Sequence, residues 1–359
     1  MIPVSEPLLG NEELEYVIDA VKSSWISSKG EYIHKFEKEF AEFCEVKYGI
    51  GCCNGTAALH LALLALGIKD GDEVIVPVST YIATANAVKY VNATPVFVDS
   101  ERDTWTIDPN EIEKKITKKT KAIIPVHLYG IPCDMGKIME IANKHNLYVI
   151  EDCAEAHGAE YNGKKVGSFG DIGCFSFFGN KVITTGEGGM CVTNNEELKE
   201  KMELFRNQGM SKERRYWHSV IGFNYRMTNI EAAIGLAQLE KIKSFLKIRE
   251  ENSDLYVQLL KGIKSMGFIP KKDDRKNVYW MNIILTNKKE EVIERLEKEG
   301  IETRPFFIPL NQMPPYFTKE HFPVAEELEK RGLNLPSSSK LKKEEIEKIC
   351  KIIKEVLVK

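Results

Sequence analysis

Short, uninterrupted apolar runs recur along the chain at 73–76, 96–98, 122–126, 147–150, 173–177 and 190–193. Too short for helices and without polar alternation, they predict strands buried on both faces. Between several of them lie helical patterns at 57–66, 82–91 and 135–143, the last with Met135, Ile138, Met139 and Ala142 on one side. Strands alternating with helices predict an α/β fold around a mainly parallel sheet. A longer stripe follows. Ala232, Leu236, Leu239, Ile242 and Leu246 predict a helix over 229–249, with one face to pack on its own domain or on a partner. Beyond it the pattern predicts a strand at 279–285 and helices at 288–299 and 344–357, the last with Ile346, Ile349, Ile353 and Val356 inward. The expected division is a large domain, 1–245, and a smaller α+β C-terminal domain, 246–359.

Composition narrows the classes of function. With 359 residues, 43% hydrophobic and 29% charged, the chain has the make-up of a globular protein with a substantial core. The net charge is −3 and basic residues are interspersed with acidic ones, so no nucleic-acid footprint is expected. No apolar run approaches the roughly 18 residues of a membrane span. The start, Met1-Ile2-Pro3-Val4-Ser5, lacks a basic stretch followed by an apolar core, so no secretory signal is expected. The eight cysteines form no C-x-x-C pair and several lie in apolar segments. A reducing cytoplasm and no metal centre are the expectation.

Two motifs invite a reading they do not sustain. Gly49-Ile50-Gly51-Cys52-Cys53-Asn54 has asparagine where the dinucleotide fingerprint needs its last glycine. The run from Gly158 to Lys165 matches a Walker A loop until Lys165 replaces the magnesium-binding hydroxyl, and a polar hairpin is expected there instead.

Lys181 stands apart from the other lysines. No charged residue lies within five positions on either side, and its neighbours are aromatic, glycine and threonine residues. Such an amine is a candidate for desolvation, a lowered pKa and Schiff-base chemistry. Other chemistry-bearing residues fall at successive strand ends, where open α/β sheets bind ligands. Asn54-Gly55-Thr56 precedes a helix and reads either as an ordinary N-cap or as a phosphate cradle. Asp152 closes a strand and, if buried, needs a cationic partner. Tyr81 opens a helix, as a core residue or as a stacking plate. Ser176 ends the strand before Lys181, and Gly186, Gly188 and Gly189 permit close backbone approach. A lysine, a ring-nitrogen acid, a phosphate cradle and an aromatic plate are together the parts of a pyridoxal phosphate site.

At these residues the chain resembles the DegT-type nucleotide-sugar aminotransferases, which are fold-type-I pyridoxal phosphate enzymes. The matching stretches are Cys53-Asn54-Gly55-Thr56-Ala57-Ala58-Leu59, Tyr81-Ile82-Ala83-Thr84-Ala85-Asn86, Pro125-Val126-His127-Leu128-Tyr129-Gly130, Glu151-Asp152-Cys153-Ala154-Glu155-Ala156-His157-Gly158, the Lys181 segment, and Gly222-Phe223-Asn224-Tyr225-Arg226-Met227. The resemblance implies that Lys181 binds the cofactor and shuttles the proton, and that Asp152 pairs with the ring nitrogen. It also implies that Tyr81 stacks on the ring, and that Gly55, Thr56 and Ser176 hold the phosphate. Asn224 would reach that phosphate from the other subunit of a homodimer with shared sites. Glu155 would lie near the ring hydroxyl edge. His157 would stand behind Asp152, or be a structural histidine. The implied reaction moves an amino group from L-glutamate, through pyridoxamine phosphate, to C4 of a nucleotide-linked 4-keto-6-deoxyhexose. GDP is the expected nucleotide, with UDP or dTDP as the alternative and a catalytically silent dimeric regulator as a further one. Relatives that dehydrate such sugars carry histidine in place of the lysine. Trp25, Arg304, Phe306 and Tyr316 are either substrate contacts or packing residues.

Overall fold

The computed structural model describes residues 1–264 and 266–358. At its centre is a seven-stranded sheet in the spatial order Tyr48–Cys52, Gly189–Thr193, Ile172–Ser176, Tyr148–Asp152, Thr120–Ile123, Glu73–Pro77, Thr94–Val98. The last five of these pair in parallel, and Gly189–Thr193 runs antiparallel to both its neighbours. Each apolar run named above overlaps a strand of this sheet, the run 122–126 only at its first two residues, and Val74, Ile75 and Val76 are fully buried, as coverage on both faces requires. Tyr48–Cys52 is the strand that periodicity misses. Two of its five residues are glycine and only Ile50 is β-branched, so its propensity signal is weak. It forms because Gly49 admits a close approach: a Cβ there would lie 2.3 Å from the Glu37 carbonyl oxygen.

The stretch resembling a Walker loop is a hairpin. Glu160–Tyr161 pairs antiparallel with Lys164–Lys165 across Asn162-Gly163, both at positive φ as a two-residue turn demands.

The long helix spans Asn229–Leu260, eleven residues past the expected end at 249. Thr228 and Glu231 close a capping box at its start. Its second half is polar in sequence yet partly buried. Arg249 donates from Nη1 to the carbonyls of Trp280 (3.0 Å) and Ser337 (2.8 Å), and the Tyr256 hydroxyl donates to the Pro336 carbonyl. The expected boundary near 245 therefore falls inside a continuous helix. Beyond it, Gly267–Phe268, Asn282–Leu285, Gly332–Leu335 and Arg304–Pro305 form a four-stranded antiparallel sheet in that order. Helices Lys289–Lys298 and Lys343–Leu357 add Val292, Leu296, Ile346, Ile349 and Ile353 to the core beside that sheet. The chain's first residues join this unit, with Ile2 bridging Ile301 and Val4 accepting from the Ser337 N–H. No helix among the described residues is long and apolar enough to cross a membrane.

Candidate active site

Lys181 lies on the connection between the adjacent antiparallel strands Ile172–Ser176 and Gly189–Thr193. That loop is pinned at both ends: Ser176 and Gly189 are register partners, and Phe178 bridges Gly186. The side chain is 11% exposed. Its Nζ lies 3.9 Å from Glu155 Oε1, an ion-pair distance too long for a hydrogen bond. The same nitrogen sits over the indole of Trp280, 3.9 Å from the ring centroid.

Asp152 is buried at the end of its own strand. Thr84 Oγ1 donates to its Oδ2 at 2.8 Å, and the Ala154 N–H to its Oδ1 at 3.2 Å. Glu155, also buried, takes the Tyr129 N–H on Oε2 at 2.7 Å. Tyr129 delivers that N–H from a left-handed backbone, φ 54°, a conformation uncommon in a bulky residue and held by its surroundings.

Burial dominates the electrostatics. It pulls the Lys181 amine below its ordinary pKa, against the opposing pull of Glu155 and Asp152. It raises the Asp152 carboxyl, the Thr84 and Ala154 hydrogen bonds offsetting part of the rise. It pushes Glu155 up to about 7, although Lys181 and the Tyr129 N–H act to lower it. The three groups thus share charge in a place where none is fully solvated.

A cradle stands at the start of the helix Gly55–Ala65. Asn54 caps it by accepting the Ala57 N–H at 2.8 Å, which leaves the first N–H groups, at Gly55 and Thr56, without partners inside the helix. Gly55 has no room for a side chain: a Cβ would lie 2.7 Å from the Ser176 Cβ. Glycine therefore brings the helix N-terminus against the hydroxyl-bearing Ser176.

The other sequence-derived candidates divide. Tyr81 is 60% exposed, its ring 6.1 Å from Phe307, so it is not a core residue. His157 does not partner Asp152. Its ring is enclosed by Phe40, Phe175 and Phe177, neither nitrogen finds a hydrogen-bond partner, and burial drives its pKa down to about 3. Asn224 is exposed and bridges Asn207. Phe306 is core, at 1% exposure, packed against Tyr129 and Trp105, and its neighbour Phe307 is the one stacked on Tyr129 beside Tyr81. Tyr316 is also buried, donating to Asn86 Oδ1 at 2.7 Å. Trp25 and Arg304 are on the surface, Arg304 against Glu302. Thr84 and Tyr129 lie in the stretches that carry the family resemblance but with no role assigned from sequence, and Trp280 lies outside them. Nothing local marks Trp280, which reaches the lysine from a different unit of the fold.

These residues fit pyridoxal phosphate. A buried lysine, a buried carboxylate with acceptor capacity to spare and a helix N-terminus that only glycine permits match its aldehyde, ring nitrogen and phosphate. The one group of metal-ligand types among the described residues, His127, Glu151 and Cys153, is fully buried. Its Glu151 already accepts from Gly167, Phe169, Gly170 and His127.

Comparison with known proteins agrees. A model of the DegT/DnrJ/EryC1/StrS aminotransferase family matches residues 7–354. The chain is 55% identical to GDP-perosamine synthase of Escherichia coli O157:H7, over 99% of this chain and 98% of that one. It is 50% identical to the enzyme of the same name from Caulobacter vibrioides, again over 99% and 98%. Among solved structures, S. venezuelae DesV in complex with a ketimine intermediate superposes with a TM-score of 0.94 at 33% identity, covering 99% of each chain.

Proposed function

The chain belongs to the DegT/DnrJ/EryC1/StrS aminotransferase family, and from that premise we propose that it transfers the amino group of L-glutamate to C4 of GDP-4-keto-6-deoxy-D-mannose, forming GDP-perosamine. It is an aminotransferase, and pyridoxal phosphate is its cofactor. The observation that carries the substrate assignment is the full-length identity to GDP-perosamine synthases, in a chain that keeps the lysine where dehydrating relatives have histidine.

Roles follow from position. When bound, the cofactor supplies an electron sink for charge developing on the substrate carbon. Lys181 Nζ is its point of attachment, then the base that takes the α-proton of glutamate and the acid that delivers one to C4 of the sugar. A buried amine with a depressed pKa gives up its proton more readily and so suits both tasks. Asp152 holds a proton at the ring nitrogen, Thr84 and Ala154 fixing the carboxylate's orientation. The Gly55 and Thr56 N–H groups and the Ser176 hydroxyl bind phosphate, and the exposed Tyr81 ring covers one face. Asn224 completes the phosphate site of a second copy, so the working unit is a homodimer with shared sites. Its exposed apolar neighbours Tyr216, Trp217 and Ile221 support burial against another chain. A cytoplasmic location suits the eight free thiols.

Two experiments test this. Borohydride reduction should fix the cofactor to a peptide containing Lys181, and labelling of another lysine would remove the assignment. A glutamate-dependent assay against GDP-, UDP- and dTDP-linked 4-keto-6-deoxy sugars should show turnover concentrated on the GDP sugar. Preference for a UDP or dTDP sugar would reassign the substrate and leave the chemistry intact.

A further inference from the structure

Lys181 is held by an aromatic face as closely as by any acid. Its Nζ is 3.9 Å from the Trp280 ring centroid, with no hydrogen bond to Glu155. Trp280 is itself firmly placed. Its indole N–H donates to the Asn180 carbonyl (2.8 Å), the peptide beside Lys181, and its own carbonyl accepts from the buried Arg249. Its ring stacks on Tyr129 at 5.8 Å and 18°, and Tyr129 in turn holds Glu155. One rigid assembly therefore presents the lysine with two partners, a carboxylate and a π-face.

The two partners differ in kind. A carboxylate attracts an ammonium and can take its proton. An indole face attracts the ammonium through its quadrupole and has no lone pair to accept a proton. We infer that Trp280 is a positioning residue for amino transfer: its indole is the resting face of the Lys181 ammonium while the lysine is detached from the cofactor. There the amine holds a proton between taking it from one carbon and delivering it to the next, within each half of the reaction. The balance is simple. In the glutamate half the α C–H bond breaks and an N–H bond forms at Nζ, which then gives its proton to the carbon that would carry the amine on the cofactor; in the sugar half Nζ takes a proton from that carbon and gives it up to form the C–H bond at C4. The indole exchanges nothing. This inference rests on Lys181 being the cofactor lysine, which the borohydride peptide decides without reference to Trp280.

The test uses the full-length enzyme loaded with pyridoxamine phosphate, so that Lys181 is free. The rate at which trinitrobenzenesulfonate modifies Lys181, followed by peptide mapping across pH, reports where the amine loses its proton. Trp280→Leu should move that midpoint to lower pH by about half a unit to one unit, and Trp280→Phe, which keeps a ring, by less. An unmoved midpoint in a folded Leu variant would overturn the inference. So would an equal shift in the Phe variant, because the indole N–H bond to Asn180 would then be the active feature. Should Trp280→Leu fail to fold, biosynthetic fluorotryptophan keeps the shape and the N–H but weakens the quadrupole. It should lower the midpoint too, and no shift would refute the role.

Discussion

Asp152 has one carboxylate oxygen engaged by Thr84 and the other by a backbone N–H. Substituting asparagine keeps the shape and removes the charge that, in the proposed role, holds a proton on the ring nitrogen. Asp152→Asn should lower the rate of the glutamate half-reaction by roughly 10²-fold or more with the fold intact, read by stopped-flow absorbance beside near-UV circular dichroism. Gly55→Ala tests the cradle. The added methyl meets Ser176 at 2.7 Å, so cofactor affinity should weaken by about tenfold in a fluorescence titration. Glu155 carries a pH signature. Its carboxyl rises from an ordinary 4.5 to about 7 in the fold, so between those values the folded state binds a proton that the unfolded chain has released. Stability of the cofactor-free protein then falls as pH rises through this window. His157, lowered to about 3, acts in the opposite sense: its contribution is present above 6.5 and is lost as pH falls toward 3. Melting temperatures of wild type and Glu155→Gln from pH 4 to 8 should separate the two, the variant losing only the decline toward neutrality.

At the level of elements, strands and strand-end chemistry were legible because both are written locally. Asp152 and Ser176 end apolar runs and Lys181 follows the second of them, so their places at strand ends can be read from the sequence around them. Trp280, Tyr129 and Thr84 were not legible, because each acquires its role from a contact made across separate elements. Phe306 and Phe307 show the limit well. Adjacent aromatics look alike in sequence, yet one is sealed against Trp105 and the other is stacked on Tyr129 and tilted against Tyr81. The helix Asn229–Leu260 was underestimated because Glu250, Glu251, Asn252, Ser253 and Asp254 interrupt its stripe, although Asn252 and Ser253 are buried. Its capping box offers a test confined to this element. Thr228→Ala should cost about 1 kcal/mol, seen as a lower denaturation midpoint, while the KM for sugar stays unchanged.

For the whole molecule, the fold was legible from the order of elements, whereas the site was legible only in part because one candidate, Asn224, is exposed in its own chain. Complementation addresses that position. Lys181→Ala and Asn224→Ala chains, each defective alone, should regain activity when refolded together. In the proposed shared-site dimer, a mixed pair would hold one site with an intact lysine and an intact partner asparagine. A mixture that stays inactive would place Asn224 in its own chain's site.

The connection that carries Lys181 has a kinetic consequence. Strands Thr120–Ile123, Tyr148–Asp152 and Ile172–Ser176 must each wait for a distant stretch of chain to return before they pair, but Ile172–Ser176 and Gly189–Thr193 are joined directly. Local pairings close at a small loss of chain entropy and are made early. Lys181 is thus set on the most local strand connection of the central sheet. One partner, Trp280, arrives only when the C-terminal part of the chain has folded onto it.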